Sequence, residues 1–299
     1  MSRTIRAIAP LAALSLLALA GCASSAGGAG EPELGTEENP VKLGVVGASD
    51  PYWAVYEEAV EAEGIALDIV DFTEYTQPNP ALSEGELDIN QFQHIQYLAD
   101  YNASSGDDLQ PIGATAIYPL GLYSEKYDSV EDIPDGETVV VPNDATNQAR
   151  GLLVLQEAGL ITLEDGGNSF STAEDVIADE SRVEVKAVDA AITVTSLPDV
   201  AAAIINNDFV TKAGLEPSAA IAQDDPADPS ALPYVNIFAV KADDIDDEVL
   251  NTLVEIYQTN QDVLDGVQEV SGGTAVFAAT PKDELQTALA EVQADIQGQ

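Results

Sequence analysis

The chain has 299 residues, of which 53 are Asp or Glu and 10 are Lys or Arg, for a formal net charge of −43. This balance argues against nucleic acid or an anionic membrane surface as partners, since both require basic surface. Apolar residues at 45% argue against a disordered acidic chain. A single cysteine removes a disulfide framework, a thiolate metal cluster and a Cys–His nucleophile.

Residues 1–21 read as a signal peptide: Arg3 and Arg6 form a basic start, and Ala7 to Ala20 is an apolar run too short to span a membrane with its own flanks. The run ends in Leu19-Ala20-Gly21-Cys22, which resembles a bacterial lipobox. The resemblance implies cleavage before Cys22 and lipid attachment to its thiol, which would anchor an otherwise soluble domain at the extracytoplasmic face of the cell membrane. Residues 22–40, rich in Gly, Ala, Ser, Pro and Glu with no period, read as a flexible tether. Cleavage removes two of the ten basic residues and no acid, so each remaining cation carries more weight. The acids must lie at the surface, because unpaired buried carboxylates are costly. Their excess fits use at high ionic strength, although an acidic bias of the whole proteome gives the same count.

Val41 to Val46 reads as a strand, Pro51 to Glu63 as an amphipathic helix and Ile65 to Phe72 as a second strand, a β-α-β unit and hence a mostly parallel sheet. Gly44 and Gly47 do not form a dinucleotide fingerprint, and no cofactor is implied. A Pro/Asn-rich loop leads to a short helix, Ala81 to Glu86. A strand over Leu87 to Asn90 follows, then Gln91-Phe92-Gln93-His94 at its end and a helix near Ile95 to Tyr101. His94, the only histidine, stands where α/β units bind ligands. Ile112 to Tyr118 reads as a strand and Leu120 to Tyr123 as an extended crossing.

The stretch Val139 to Arg150 concentrates the polar chemistry. Three β-branched residues form a buried strand, Pro142 stops it, and Asn143 or Asp144 caps a helix that runs to about Ala158 with Gly159 at its C-cap. At about 100° per residue, Asn143, Asn147 and Arg150 fall within roughly 60° of one another, away from the leucine faces. An arginine on such a face suits a carboxylate or phosphate. Val183 to Val188 reads as a strand, Ser196 to Ile205 as a short helix running into a strand, and Gln223 to Pro229 as a loop. Tyr234 to Val240 reads as a strand with Asn236 in its middle, where asparagine is unfavourable. Asp243 to Gln261 and Pro281 to Gln297 read as acidic helices that return to the first lobe. The expected organisation is α/β with two lobes, residues 41–120 plus 236–299 and residues 121–235, and a cleft between them as the small-molecule site.

Several segments together resemble the NlpA/MetQ family of lipoproteins, the methionine-binding components of ABC importers: Lys42 to Gly47, Pro78 to Leu82, Gln91 to His94, Tyr118-Pro119, Val141 to Asp144 with Asn147 and Arg150, Ile204 to Asn206, and Pro233 to Asn236. The resemblance implies a two-lobed periplasmic-binding-protein-like fold that binds L-methionine or a closely related amino acid and delivers it to a membrane permease driven by an ATPase. By the same resemblance Arg150 pairs with the ligand α-carboxylate, Asn206 and Asn236 hold the amino-acid backbone, and Tyr75 and Phe92 flank the side chain, where a thioether is favoured. His94 matches the family's pocket histidine and Tyr118 the tyrosine near the crossing, while Asn143 and Asn147 match the cleft-facing turn and helix. Gln91 and Asn207 depart from the family pattern and bear on pocket shape. Two other readings remain: the same fold with D-methionine, a methionine-containing dipeptide or another amino acid, and a non-transport role with His94 as general base beside Asp88 or Asp144, or with carboxylates around a metal.

Overall fold

The computed structural model describes residues 32–298. The signal segment, Cys22 and most of the tether therefore lie outside the described residues. From Glu33 onward the chain forms one unit.

The first sheet grows from the expected β-α-β unit. Strand β1 (Val41–Val46) is followed by helix α1 (Pro51–Ala62), β2 (Leu67–Phe72), α2 (Pro78–Ser83), β3 (Ile89–His94), α3 (Ile95–Ser105), β4 (Leu109–Ala114) and β5 (Ala116–Ile117). The chain then crosses and builds a second sheet. This comprises β6 (Gly121–Tyr123), β7 (Thr138–Pro142), α4 (Ala145–Glu157), β8 (Glu184–Val188), α5 (Ala190–Thr193), β9 (Ala202–Ile205), α6 (Asn207–Val210) and β10 (Ala222–Gln223). A second crossing returns it to β11 (Asn236–Lys241), α7 (Glu248–Thr259), α8 (Gln261–Val270), β12 (Val276–Phe277) and α9 (Lys282–Gln297). Strand order is β2-β1-β3-β11-β4 in one sheet and β10-β6-β9-β7-β8 in the other, with β12 pairing β5 in a small ribbon. β1 runs parallel to β2 and β3, whereas β11, arriving from the second lobe, is antiparallel to both its neighbours. The result is a two-lobed α/β fold whose halves are joined twice, at residues 117–121 and 223–236.

Alternation along the strands makes the cores. On β11, Phe238 and Val240 join the cluster of Trp53, Tyr56 and Tyr257, while Ile237 and Ala239 face Leu98, Leu285 and Leu289. On β7, Val139 and Val141 pack on Leu152 and Leu155, while Val140 faces the other way into a cluster with Tyr75, Phe92 and Phe209. That last cluster draws side chains from both lobes.

Several boundaries differ from the sequence-based expectation. The short helix is Pro78–Ser83 and not Ala81–Glu86. The strand expected over Ile112 to Tyr118 is two strands, β4 and β5, and the short helix expected from Ser196 lies earlier, at α5. β3 continues through Gln91-Phe92-Gln93-His94 instead of ending at Asn90, and all six of its residues, Ile89–His94, are buried. Its amides are satisfied laterally: Asn79 donates to Gln93 at 2.7 Å, and Gln93 donates to Asn90 at 3.0 Å and to Asn79 at 2.6 Å, so polar residues occupy a central strand without penalty. The helix expected over Asp243 to Gln261 splits, because Asn260 takes an extended conformation and its side chain caps α8 at Asp262 and Val263. Asn236 is the first residue of its strand, not its middle. α9 packs against α3 and β4 of the first sheet. Among the described residues no helix is long and apolar enough to cross a membrane.

Candidate functional site

Helix α4 carries the polar face because Asp144 caps it. Its Oδ1 accepts from the Asn147 N–H at 2.9 Å and from Asn147 Nδ2 at 3.0 Å, which fixes both the helix start and the Asn147 side chain. At the far end Gly159, at φ +71°, closes the helix, and the Leu160 N–H returns to the Leu155 carbonyl at 2.9 Å. With the cap at Asp144, Asn143 stands outside the helix, so the wheel that grouped it with Asn147 and Arg150 does not apply. Asn143 is exposed and does not line the cavity between the lobes.

The other eight expected residues, Tyr75, Phe92, His94, Tyr118, Asn147, Arg150, Asn206 and Asn236, line one cavity between the lobes. Gln93, Tyr97 and Asn207 complete the lining. Gln91, flagged for its effect on pocket shape, instead donates to Thr115 Oγ1 at 3.3 Å and does not line it.

A chain of amides crosses the cleft. His94 ends β3 and caps α3: its Nδ1 accepts from the Tyr97 N–H at 3.0 Å. The proton of the neutral ring therefore sits on Nε2, which donates to Asn147 Oδ1 at 3.3 Å in the opposite lobe. Burial, then the nearby Arg150 guanidinium, pushes the imidazole down to about 3, so it stays neutral throughout the physiological range. Asn147 Oδ1 also accepts from Asn206 Nδ2 at 2.9 Å. That leaves Asn206 Oδ1 buried with no hydrogen-bond partner. A buried amide oxygen without a donor costs about 1–3 kcal/mol.

Arg150 is buried and held on three sides. Its Nε donates to Asp224 Oδ2 at 2.6 Å, its Nη2 donates to the Tyr118 carbonyl at 2.8 Å, and its plane lies 4.4 Å from the centre of the Tyr234 ring. The cavity lining contains no carboxylate, so the guanidinium is the only charged group that faces it. At the other end, Tyr75 packs against Phe92 at 5.9 Å and Phe209 at 5.1 Å between centroids, and Tyr97 stands edge-on to both Tyr75 and Phe92. The Tyr75 hydroxyl donates to Asp208 Oδ2 at 2.7 Å across the cleft. Burial raises the Asp208 carboxyl to about 6 despite that bond. One end of the cavity is thus cationic and amide-lined, and the other is aromatic.

A neighbouring space on the far side of Tyr118 is lined by Asp50, Asp208 and apolar residues such as Val210 and Val267. It presents two acids and no cation, so the carboxylate-reading geometry belongs to the cavity that Arg150 lines. Tyr97, Phe209, Asp208, Asp224 and Tyr234 were not singled out in the sequence. The available signals were the aromatic character of Tyr97, three residues beyond His94, and the place of Tyr234 in the Pro233-to-Asn236 segment.

The NlpA lipoprotein family's sequence profile matches residues 41–278. Among the most similar relatives, the probable D-methionine-binding lipoprotein MetQ of Pasteurella multocida is 37% identical over 217 residues, 72% of this chain and 77% of that one. The substrate-binding protein of a methionine transporter from Streptococcus pneumoniae superposes with a TM-score of 0.73 at 34% identity, over 80% of this chain and 95% of that one. A nutrient-binding protein from Burkholderia cenocepacia, solved bound to methionine, gives 0.74 at 35% identity, over 80% and 99% of the two chains. With the profile spanning both lobes and the cleft between them, the chain belongs to the NlpA lipoprotein family.

Proposed function

We propose that the chain is the substrate-binding lipoprotein of an ABC importer. In this reading it captures L-methionine between its lobes and delivers it to a membrane permease and ATPase, while a lipid on Cys22 holds it at the extracytoplasmic face. The observation that carries the reading is the pairing of a buried cation with a buried, unpartnered acceptor in one cavity: Arg150 for a carboxylate and Asn206 Oδ1 for an ammonium. The Tyr75, Phe92 and Phe209 rings beyond them suit a thioether, for which sulfur–aromatic contacts are worth about 0.3–1.5 kcal/mol. The His94 nitrogens are both engaged, one as a helix cap and one as a donor to Asn147, which argues against its use as a general base. A relative named for D-methionine binding and a solved neighbour bound to methionine support methionine as the ligand, without choosing between its two forms.

Titration calorimetry with L-methionine and D-methionine tests the reading and its chirality. Arg150→Lys keeps the charge near Asp224 and loses the planar fork, so it should bind L-methionine about 10–100-fold more weakly while melting near the wild type. Equal affinity of variant and wild type would remove Arg150 from the site. Tighter binding of the D form would reverse the stereochemical assignment.

A further inference from the structure

We infer that Asp224, on the second crossing, is a positioning residue that sets which net charge the cavity accepts. This rests on the reading of the cavity as an amino-acid site. Both oxygens of Asp224 are fixed: Oδ1 accepts from the Leu120 N–H at 2.7 Å and Oδ2 from Arg150 Nε at 2.6 Å. Leu120 belongs to the first crossing, so the carboxylate is tied to both connections between the lobes and cannot swing toward the cavity. It lies behind the guanidinium, on the side of an open groove it shares with Gln223 and Asp225, and it does not line the ligand space.

Asp224, the Tyr118 carbonyl and the Tyr234 ring together define the plane of Arg150 and the edge it turns inward. Their electrostatic effect is equally specific. Arg150 presents a positive group to the cavity, but its charge is already balanced from behind by the half-buried Asp224 carboxylate, so the pair is neutral. The lining supplies no carboxylate for a ligand ammonium, only amide and carbonyl oxygens such as Asn206 Oδ1. A ligand that carries both charges leaves the site neutral. One that carries only a carboxylate leaves an excess negative charge out of water, which is costly. Asp224 therefore selects zwitterions over simple carboxylates without touching either.

The test compares L-methionine with 4-(methylsulfanyl)butanoate, which has the same side chain and carboxylate and lacks the ammonium. The unsubstituted protein should prefer methionine strongly. Asp224→Asn removes the balancing charge and makes the cavity net positive. The ratio of the two Kd values should then narrow at least about tenfold, a change of roughly 1.4 kcal/mol. Asp224→Ser, also uncharged, gives the same readout should the amide variant fail to fold. Asp224→Glu retains the charge and should keep the wild-type ratio even where both affinities fall. If the neutral variants weaken both ligands equally and leave the ratio unchanged, Asp224 is only structural and the inference is overturned. If the unsubstituted protein binds no methionine, the amino-acid reading itself falls, and that result is seen before any variant is measured.

Discussion

The amide of Asn206 faces two ways. Its nitrogen donates to Asn147 and its oxygen is buried with nothing to accept from, so the side chain is oriented but incompletely satisfied. Truncating it removes one hydrogen bond and one unsatisfied atom, terms of similar size and opposite sign. Asn206→Ala should therefore change the melting temperature little while weakening L-methionine binding about 10–100-fold, because the acceptor for the ligand ammonium is gone. Parallel calorimetry and thermal melts check this, and a large loss of stability with intact affinity would contradict it. At this scale the sequence was readable where the chemistry is local to one residue. Arg150 stands out among few cations, and His94 is the only histidine. What was not readable is what each residue already holds. Arg150 meets Asp224, 74 positions away, and His94 meets Asn147, 53 away; pairings of that separation are products of the fold and leave no local pattern.

Helix α4 turns one capping interaction into a site. Asp144 holds the helix start and, through Asn147, the amides that reach His94 and Asn206. Asn260 does the same backbone work for α8, away from the cavity. Losing either cap costs about 0.5–2 kcal/mol, or a few degrees of melting temperature in a chain of this size. Asp144→Ala and Asn260→Ala should thus destabilise to similar extents, but only Asp144→Ala should also weaken methionine binding. Equal effects of the two variants on binding would show that α4 is not specially coupled to the cleft. The strand-turn-helix was legible because β-branched residues, a proline and a capping pair follow in order. The exact cap was not: Asn143 and Asp144 both qualify by type, and choosing Asp144 removes Asn143 from the helix face. The continuation of β3 was hidden for a related reason. Gln93 and Asn90 look like loop residues until the Asn79 side chain pairs with them, and Gln91 until it meets Thr115.

Across the whole molecule the two lobes meet through a small number of polar contacts, and one of them titrates near neutrality. Tyr75 from the first lobe donates to Asp208 from the second, and Asn207 Nδ2 donates to the other oxygen at 2.8 Å. Lys212 lowers and Asp50 raises the carboxyl, but burial dominates and lifts it from 3.8 to about 6. A group raised in the native state binds its proton more tightly folded than unfolded. Its stabilisation is fully present below about 4 and is lost as pH rises through about 6, leaving an ionised carboxylate enclosed between the lobes at pH 8. His94, lowered to about 3, acts in the opposite sense, favouring the folded state above 6.5 and losing that contribution as pH falls, but it is common to both proteins compared. Asp208→Asn keeps an oxygen for the Tyr75 hydroxyl and removes the charge. One pKa unit corresponds to about 1.4 kcal/mol, so the variant should melt a few degrees higher than the wild type at pH 8. The difference should shrink steadily as pH falls from 8 to 4, where the folded carboxyl is protonated and the unfolded one, with its value of 3.8, is partly so. Thermal melts of the two proteins at matched ionic strength from pH 4 to pH 8 measure this directly; a variant that melts at or below the wild type at pH 8 would show that the ionised carboxylate is well solvated in the cleft and that the lobes are not coupled to its protonation.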